Sequence, residues 1–182
     1  MRSVLVVAFM LLSQPLFGQV VPAHRGQATN GLTVELRTGA SRAHLADKLV
    51  VSVFFRSPRR SVTIWNAFGW NAQAGLSLKV IDASGHQVSE YYEMGDYAPP
   101  DLSGRNALVS IGFDSFAGFD SRIPVDELFP GPGAYTLKCV YRPPLPRDYF
   151  KGNTIWGPED GPIESAGIKV TVTKQWACRS RD

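Results

Sequence analysis

The amino-acid sequence predicts an all-β protein, an antiparallel β-sandwich of about seven or eight strands joined by long loops. Three observations carry this expectation. Apolar residues recur at every second position in several separate stretches, the period of a half-buried strand. Turns containing Gly and Pro separate those stretches. Helical periodicity is missing over any useful length: the single helix-compatible piece, Pro124–Phe129, is one turn with proline at its start. Many short strands without helices bury their faces best as two packed sheets.

The elements follow in chain order. Met1-Arg2 and the apolar run Val4–Leu12 have the charge and length of a signal-peptide core, too short to span a bilayer. Residues 1–18 are therefore expected to be a leader, with Ala23 as an alternative cleavage point and an uncleaved N-terminal anchor as the other reading. Gln19 stands where a lipoprotein anchor needs cysteine. Residues 19–30 read as a flexible segment, 31–174 as one sandwich domain, and 175–182 as a basic tail. Within the domain, Leu32/Val34/Leu36 alternate with Thr33/Glu35/Arg37. Leu49–Phe55 is apolar on both faces except at Ser52, which suits a central strand. Ser61–Trp65 is short and β-branched. Leu76/Leu78/Val80 alternate with Ser77/Lys79 and lead into Asp82-Ala83-Ser84-Gly85, a type I turn closed by a left-handed glycine, then into His86–Tyr92. Ala107/Val109/Ile111/Phe113 share a face, Tyr135/Leu137/Cys139/Tyr141 share another, and Ile168/Val170/Val172 end the series.

The start of the Tyr135 strand, Gly131-Pro132-Gly133-Ala134-Tyr135, resembles the tyrosine corner that opens strand F of immunoglobulin-like sandwiches. Val80–Val88 (V-I-D-A-S-G-H-Q-V) followed by Pro132–Leu137 (P-G-A-Y-T-L) resembles the immunoglobulin-like modules of exported bacterial proteins. The same skeleton is similar to a small bacterial proteinase-inhibitor family built on that sandwich. The resemblance covers Leu76–Leu137 and implies an immunoglobulin-like fold with Tyr135 in a structural role. Three departures separate the chain from antibody-type domains. Tyr135 and Cys139 are four positions apart, Leu49–Phe55 lacks a cysteine, and Leu76–Ile81 lacks a tryptophan. No reactive loop for proteinase inhibition can be assigned.

Charge and cysteines bound the chemistry. The chain of 182 residues carries 19 basic and 16 acidic residues. Loss of Arg2 with the leader leaves a formal charge of +2. Its basic residues form no stripe, so no nucleic-acid partner is expected, and Arg56/Arg59/Arg60 read as a solvated turn. Cys139 and Cys178 are an even pair for an oxidising compartment. They either form a disulfide, contributing roughly 3–4 kcal/mol, or remain a buried and an exposed thiol. His24, His44 and His86 have no ligand spacing, so no metal or cofactor is expected. The acidic residues between Asp114 and Glu127 match no calcium loop and read as a solvated acidic loop.

Long connections carry most of the individuality: 56–75, 93–106, 114–132 and 143–164. Their aromatics offer two readings. They either fold back to extend the core, or present anchors for a protein or a sugar ring. If a site exists, Trp65 and Trp70 with Asn66 and Asn71 are its first candidates, and Trp156 joins them. No catalytic motif for acyl transfer, zinc proteolysis, phosphate or dinucleotide binding occurs. The expected function is an exported, non-enzymatic module, secreted or periplasmic, that binds an unknown protein or glycan. Proteinase inhibition is the alternative, and a hydrolase with a loop-built site stands behind it.

Overall fold

The computed structural model describes residues 24–26, 31–65, 75–92, 108–150, 152 and 154–174. Asn66, Trp70, Asn71, Cys178, the leader and the basic tail lie outside them. The described strands are β1 (His24–Arg25), β2 (Thr33–Thr38), β3 (Arg42–His44), β4 (Lys48–Ser57), β5 (Val62–Trp65), β6 (Leu76–Asp82), β7 (Gln87–Tyr91), β8 (Leu108–Ile111), β9 (Ser115–Pro124), β10 (Gly133–Tyr141), β11 (Ile163–Glu164) and β12 (Ile168–Thr173). One helical turn, α1 (Val125–Leu128), joins β9 to β10. No described helix is long and apolar enough to cross a membrane.

Two sheets form the sandwich. The first runs β1-β2-β4-β9 and the second β3-β12-β10-β6-β7, with β11 also on β10; β5 and β8 make a separate ribbon. All pairings are antiparallel except β3 with β12. After β2 in the first sheet the chain crosses over at Gly39–Ala40. It then pairs as β3, parallel to the last strand, in the second sheet. That split first strand, with β4–β9 in one layer and β12-β10-β6-β7 in the other, is the immunoglobulin-like arrangement. The predicted fold class holds.

Alternation builds the core. Leu49, Val51, Val53 and Phe55 of β4 face Leu78, Val80, Leu137, Cys139 and Tyr141 across the layers, all buried. Phe55 and Tyr141 meet edge to face with centroids 5.1 Å apart, tying one sheet to the other. The Asp82–Gly85 turn has the expected form: Gly85 sits at φ 89° and donates its N–H to the Asp82 carbonyl at 3.1 Å. Asp82 Oδ1 accepts from the Ser84 and His86 N–H groups at 2.9 Å each.

Several expectations need correction. The two sheets hold ten described strands, two of them (β1 and β11) only two residues long, against the seven or eight expected. The acidic stretch after Asp114 is not a loop: residues 115–124 form β9, hydrogen-bonded along the whole of β4. Phe113 lies past the end of β8 and is exposed rather than sharing its inner face. Thr33 and Glu35 are buried, not solvated: Thr33 lies opposite Arg56 and donates its hydroxyl to that residue's carbonyl, while Phe54 lies opposite Glu35 and Arg37 pairs with the Glu35 carboxylate. Residues His24 and Arg25, within the segment expected to be flexible, pair with β2. Cys139 is fully buried in the core layer, and Cys178, its possible disulfide partner, lies outside the described residues. Burial pushes that thiol well above its ordinary range.

Candidate functional site

The β5–β8 register sets Thr63 opposite Ser110, with their hydroxyls 3.1 Å apart. Beyond that pair the 143–162 connection folds back onto the ribbon. The Trp156 N–H donates to the Thr63 carbonyl at 2.7 Å, and the Ile155 N–H to the Arg147 carbonyl at 3.1 Å. Between ribbon and connection lies a cavity of about 300 Å³, lined by Arg60, Thr63, Ser110, Arg147, Trp156 and Asp160. The folding-back that buries Trp156 also creates this cavity.

Its electrostatics are positive. Arg147 Nη2 donates to Asp160 Oδ1 at 2.6 Å, and Asp160 Oδ2 accepts from the Gly157 N–H at 3.1 Å. The Asp160 side chain is only 6% exposed, so its charge is compensated and its orientation fixed within the wall. Arg147 is half-exposed and keeps donors that this pair does not use. Arg60 has no ion-pair partner among the described residues. One uncompensated guanidinium, a second with spare donors and two hydroxyls can accept a carboxylate or sulfate group and hydrogen-bond its neighbours.

Of the residues that the sequence singled out, Trp65 and Trp156 are each 2% exposed and form no exposed patch. Trp65 ends β5 and stacks on Phe150 of the folded-back connection, centroids 5.9 Å apart and planes 19° from parallel. Its ring is core, the plainer of the two readings. Trp156 is likewise packed, with its indole N–H donated to the Gly161 carbonyl at 3.3 Å, but its edge reaches the cavity. Tyr135 donates its hydroxyl to the Gly131 carbonyl at 2.9 Å, the corner geometry. Arg60, Arg147, Thr63 and Ser110 were not legible as a group. They come from three separate stretches of the chain, and Arg60 belongs to a turn read as merely solvated.

A second surface lies on the outward face of the first sheet. Phe116 meets Phe54 edge to face with centroids 5.7 Å apart, and the Arg37 guanidinium sits 4.8 Å from the centre of the Phe54 ring. Arg37 pairs with Glu35 at 2.5 Å and Arg56 with Asp114 at 2.7 Å, framing the rings. Phe113 and Phe116 are 67% and 69% exposed. Among the described residues the most exposed aromatics are thus Phe113, past the end of β8, and Phe116, on the sheet face, rather than Trp65 or Trp156.

No family model matches the chain. No curated protein matches it either. Among solved structures, the C-terminal domain of wzt aligns at 13% identity over 86% of this chain and 82% of its own, with a TM-score of 0.45. The CARDB domain of a Pyrococcus furiosus protein, a solution NMR structure, aligns at 11% identity over 80% of this chain and 96% of its own, with a TM-score of 0.36.

Proposed function

We propose that this chain is an exported, non-enzymatic binding module that takes an acidic saccharide in the cavity between the β5–β8 ribbon and the 143–162 connection. The observation that carries the reading is the lining. The Arg60 guanidinium, without an ion-pair partner among the described residues, stands with the half-engaged Arg147 and with the Thr63–Ser110 hydroxyl pair, in a space of sugar-ring size. The arginines suit an acid group, and the hydroxyls suit ring hydroxyls beside it. Export rests on the leader-like run Val4–Leu12. A binding rather than a catalytic role fits the placement of the bases. His44 is engaged with Thr173 at 2.8 Å and His86 with Ser84 at 3.0 Å, both away from the cavity, and Asp160 is spent on Arg147.

Calorimetric titration with a galacturonate oligosaccharide and with its neutral galactose counterpart tests this. The acidic ligand is expected to bind and the neutral one not. Arg60→Ala should weaken binding by tenfold or more, on the order of the 1.5–3 kcal/mol that a charged hydrogen bond contributes. Equal affinity for both sugars, or an unchanged Arg60→Ala variant, would contradict the reading.

One observation favours a second reading. The exposed pair Phe113 and Phe116 suits a protein partner, a secreted proteinase among them, because desolvated aromatic anchors dominate protein interfaces. Phe113→Ser with Phe116→Ser would abolish that binding and leave the saccharide titration unchanged.

A further inference from the structure

Strand β9 ends the first sheet, and among the described residues no strand pairs along its outer edge. It is ten residues long, and its outward residues Phe116, Gly118, Asp120 and Arg122 are all exposed. Such an edge presents unpaired N–H and C=O groups, and folded proteins usually guard it with like charges, proline or a bulge. β9 ends at Pro124 and carries one charge of each sign, Asp120 and Arg122, two positions apart on its outward face. Neither has an ion-pair partner among the described residues. Across the sheet they meet only Ser52 and Val50, which supply no counter-charge.

We propose that β9 pairs antiparallel with β9 of a second copy of this chain, with Ser121 on the two-fold axis. In that register Asp120 lies opposite the second copy's Arg122, and Arg122 opposite its Asp120, so one strand supplies two complementary pairs. Neighbouring registers do not. An axis at Asp120 sets aspartate against aspartate, an axis at Arg122 sets arginine against arginine, and an axis at Phe119 leaves Asp120 facing Gly118. Charge thus selects both the occupant and the register. Pro124 of each copy, which has no N–H to donate, bounds the pairing at each end, opposite Gly118. The paired stretch is short, so the dimer is weak and forms with rising concentration. β9 contributes no residue to the cavity, and the proposal stands apart from saccharide binding.

Sedimentation velocity of the full chain over a concentration series tests it, with Asp120→Lys, Arg122→Glu and an equimolar mixture of the two variants. The unmodified chain should move from monomer towards dimer as concentration rises. Each variant alone should remain monomeric, since like charges then face each other, while its melting temperature stays that of the unmodified chain. Their mixture should recover the dimer, because the two altered edges complement one another. A chain that is monomeric at its solubility limit would overturn the proposal, as would a dimer indifferent to either substitution or a mixture that fails to re-associate.

Discussion

The Tyr135 hydroxyl fastens the end of one turn to the carbonyl of Gly131 at 2.9 Å, and its ring lies against Phe129 with centroids 5.1 Å apart. Tyr135→Phe keeps the ring and removes the bond, so it should cost about 1 kcal/mol in urea unfolding. No measurable loss would show that the hydroxyl does not hold the corner. Residues of this kind were legible because their geometry is local: a Gly/Pro turn before Tyr135, and Asp82 three positions before Gly85. Trp65, Arg60 and Trp156 were not, because the first two meet a connection some ninety residues later in sequence and Trp156, within that connection, meets the ribbon as far back. Phe150 covers Trp65, and the Arg147–Asp160 pair shares the cavity wall with Arg60. Composition names the residue type at such positions, but not its surroundings.

At the scale of elements, alternating strands such as β6, β10 and β12 could be read directly, and β9 could not. Its outward residues are Phe116, Gly118, Asp120 and Arg122, and its inward ones Ala117, Phe119, Ser121 and Ile123, so neither face is consistently apolar. The strand is imposed by β4, along which it pairs for ten positions. Gly118 marks the closest approach, where a Cβ would run into the Val53 carbonyl and the Phe54 ring. Gly118→Ala should therefore destabilise the domain by about 1–3 kcal/mol, an overpacking cost, in spite of alanine's usual advantage over glycine. Thermal unfolding measures this, and an unchanged or raised midpoint would mean that β9 gives way freely.

For the whole molecule, the charged outer face of the second sheet governs the response to acid. Glu164 lies between Lys79 at 2.8 Å and Lys138 at 3.7 Å, and the Lys79 hydrogen bond holds its carboxyl below the ordinary value. Partial burial pushes Glu90 upward, but bonds from Ser77 and Arg142 outweigh it, and its value is also depressed. Asp82 is held down chiefly by the Ser84 hydroxyl and then by the His86 N–H. In each case the unfolded chain takes up its proton at a higher pH than the folded one. The stability these groups contribute is present above their ordinary values of 3.8 for Asp82 and 4.5 for the glutamates, and is lost as pH falls through the lower folded values. Urea midpoints should hold steady above pH 4.5 and decline below it, with a shallower decline in Glu164→Gln. A flat profile, or an unaltered slope in the variant, would contradict this. The sandwich itself needed only period and turns to be foreseen, whereas the cavity needed the fold first, since it exists where a connection meets a ribbon. The measurement that tests its role most directly is amide and indole NMR shift mapping of the full chain during titration with a galacturonate oligosaccharide. Shifts should concentrate at Thr63, Ser110, Arg147 and the Trp156 indole. Shifts gathered instead around Phe113 and Phe116, or none at all, would contradict a saccharide site in the cavity.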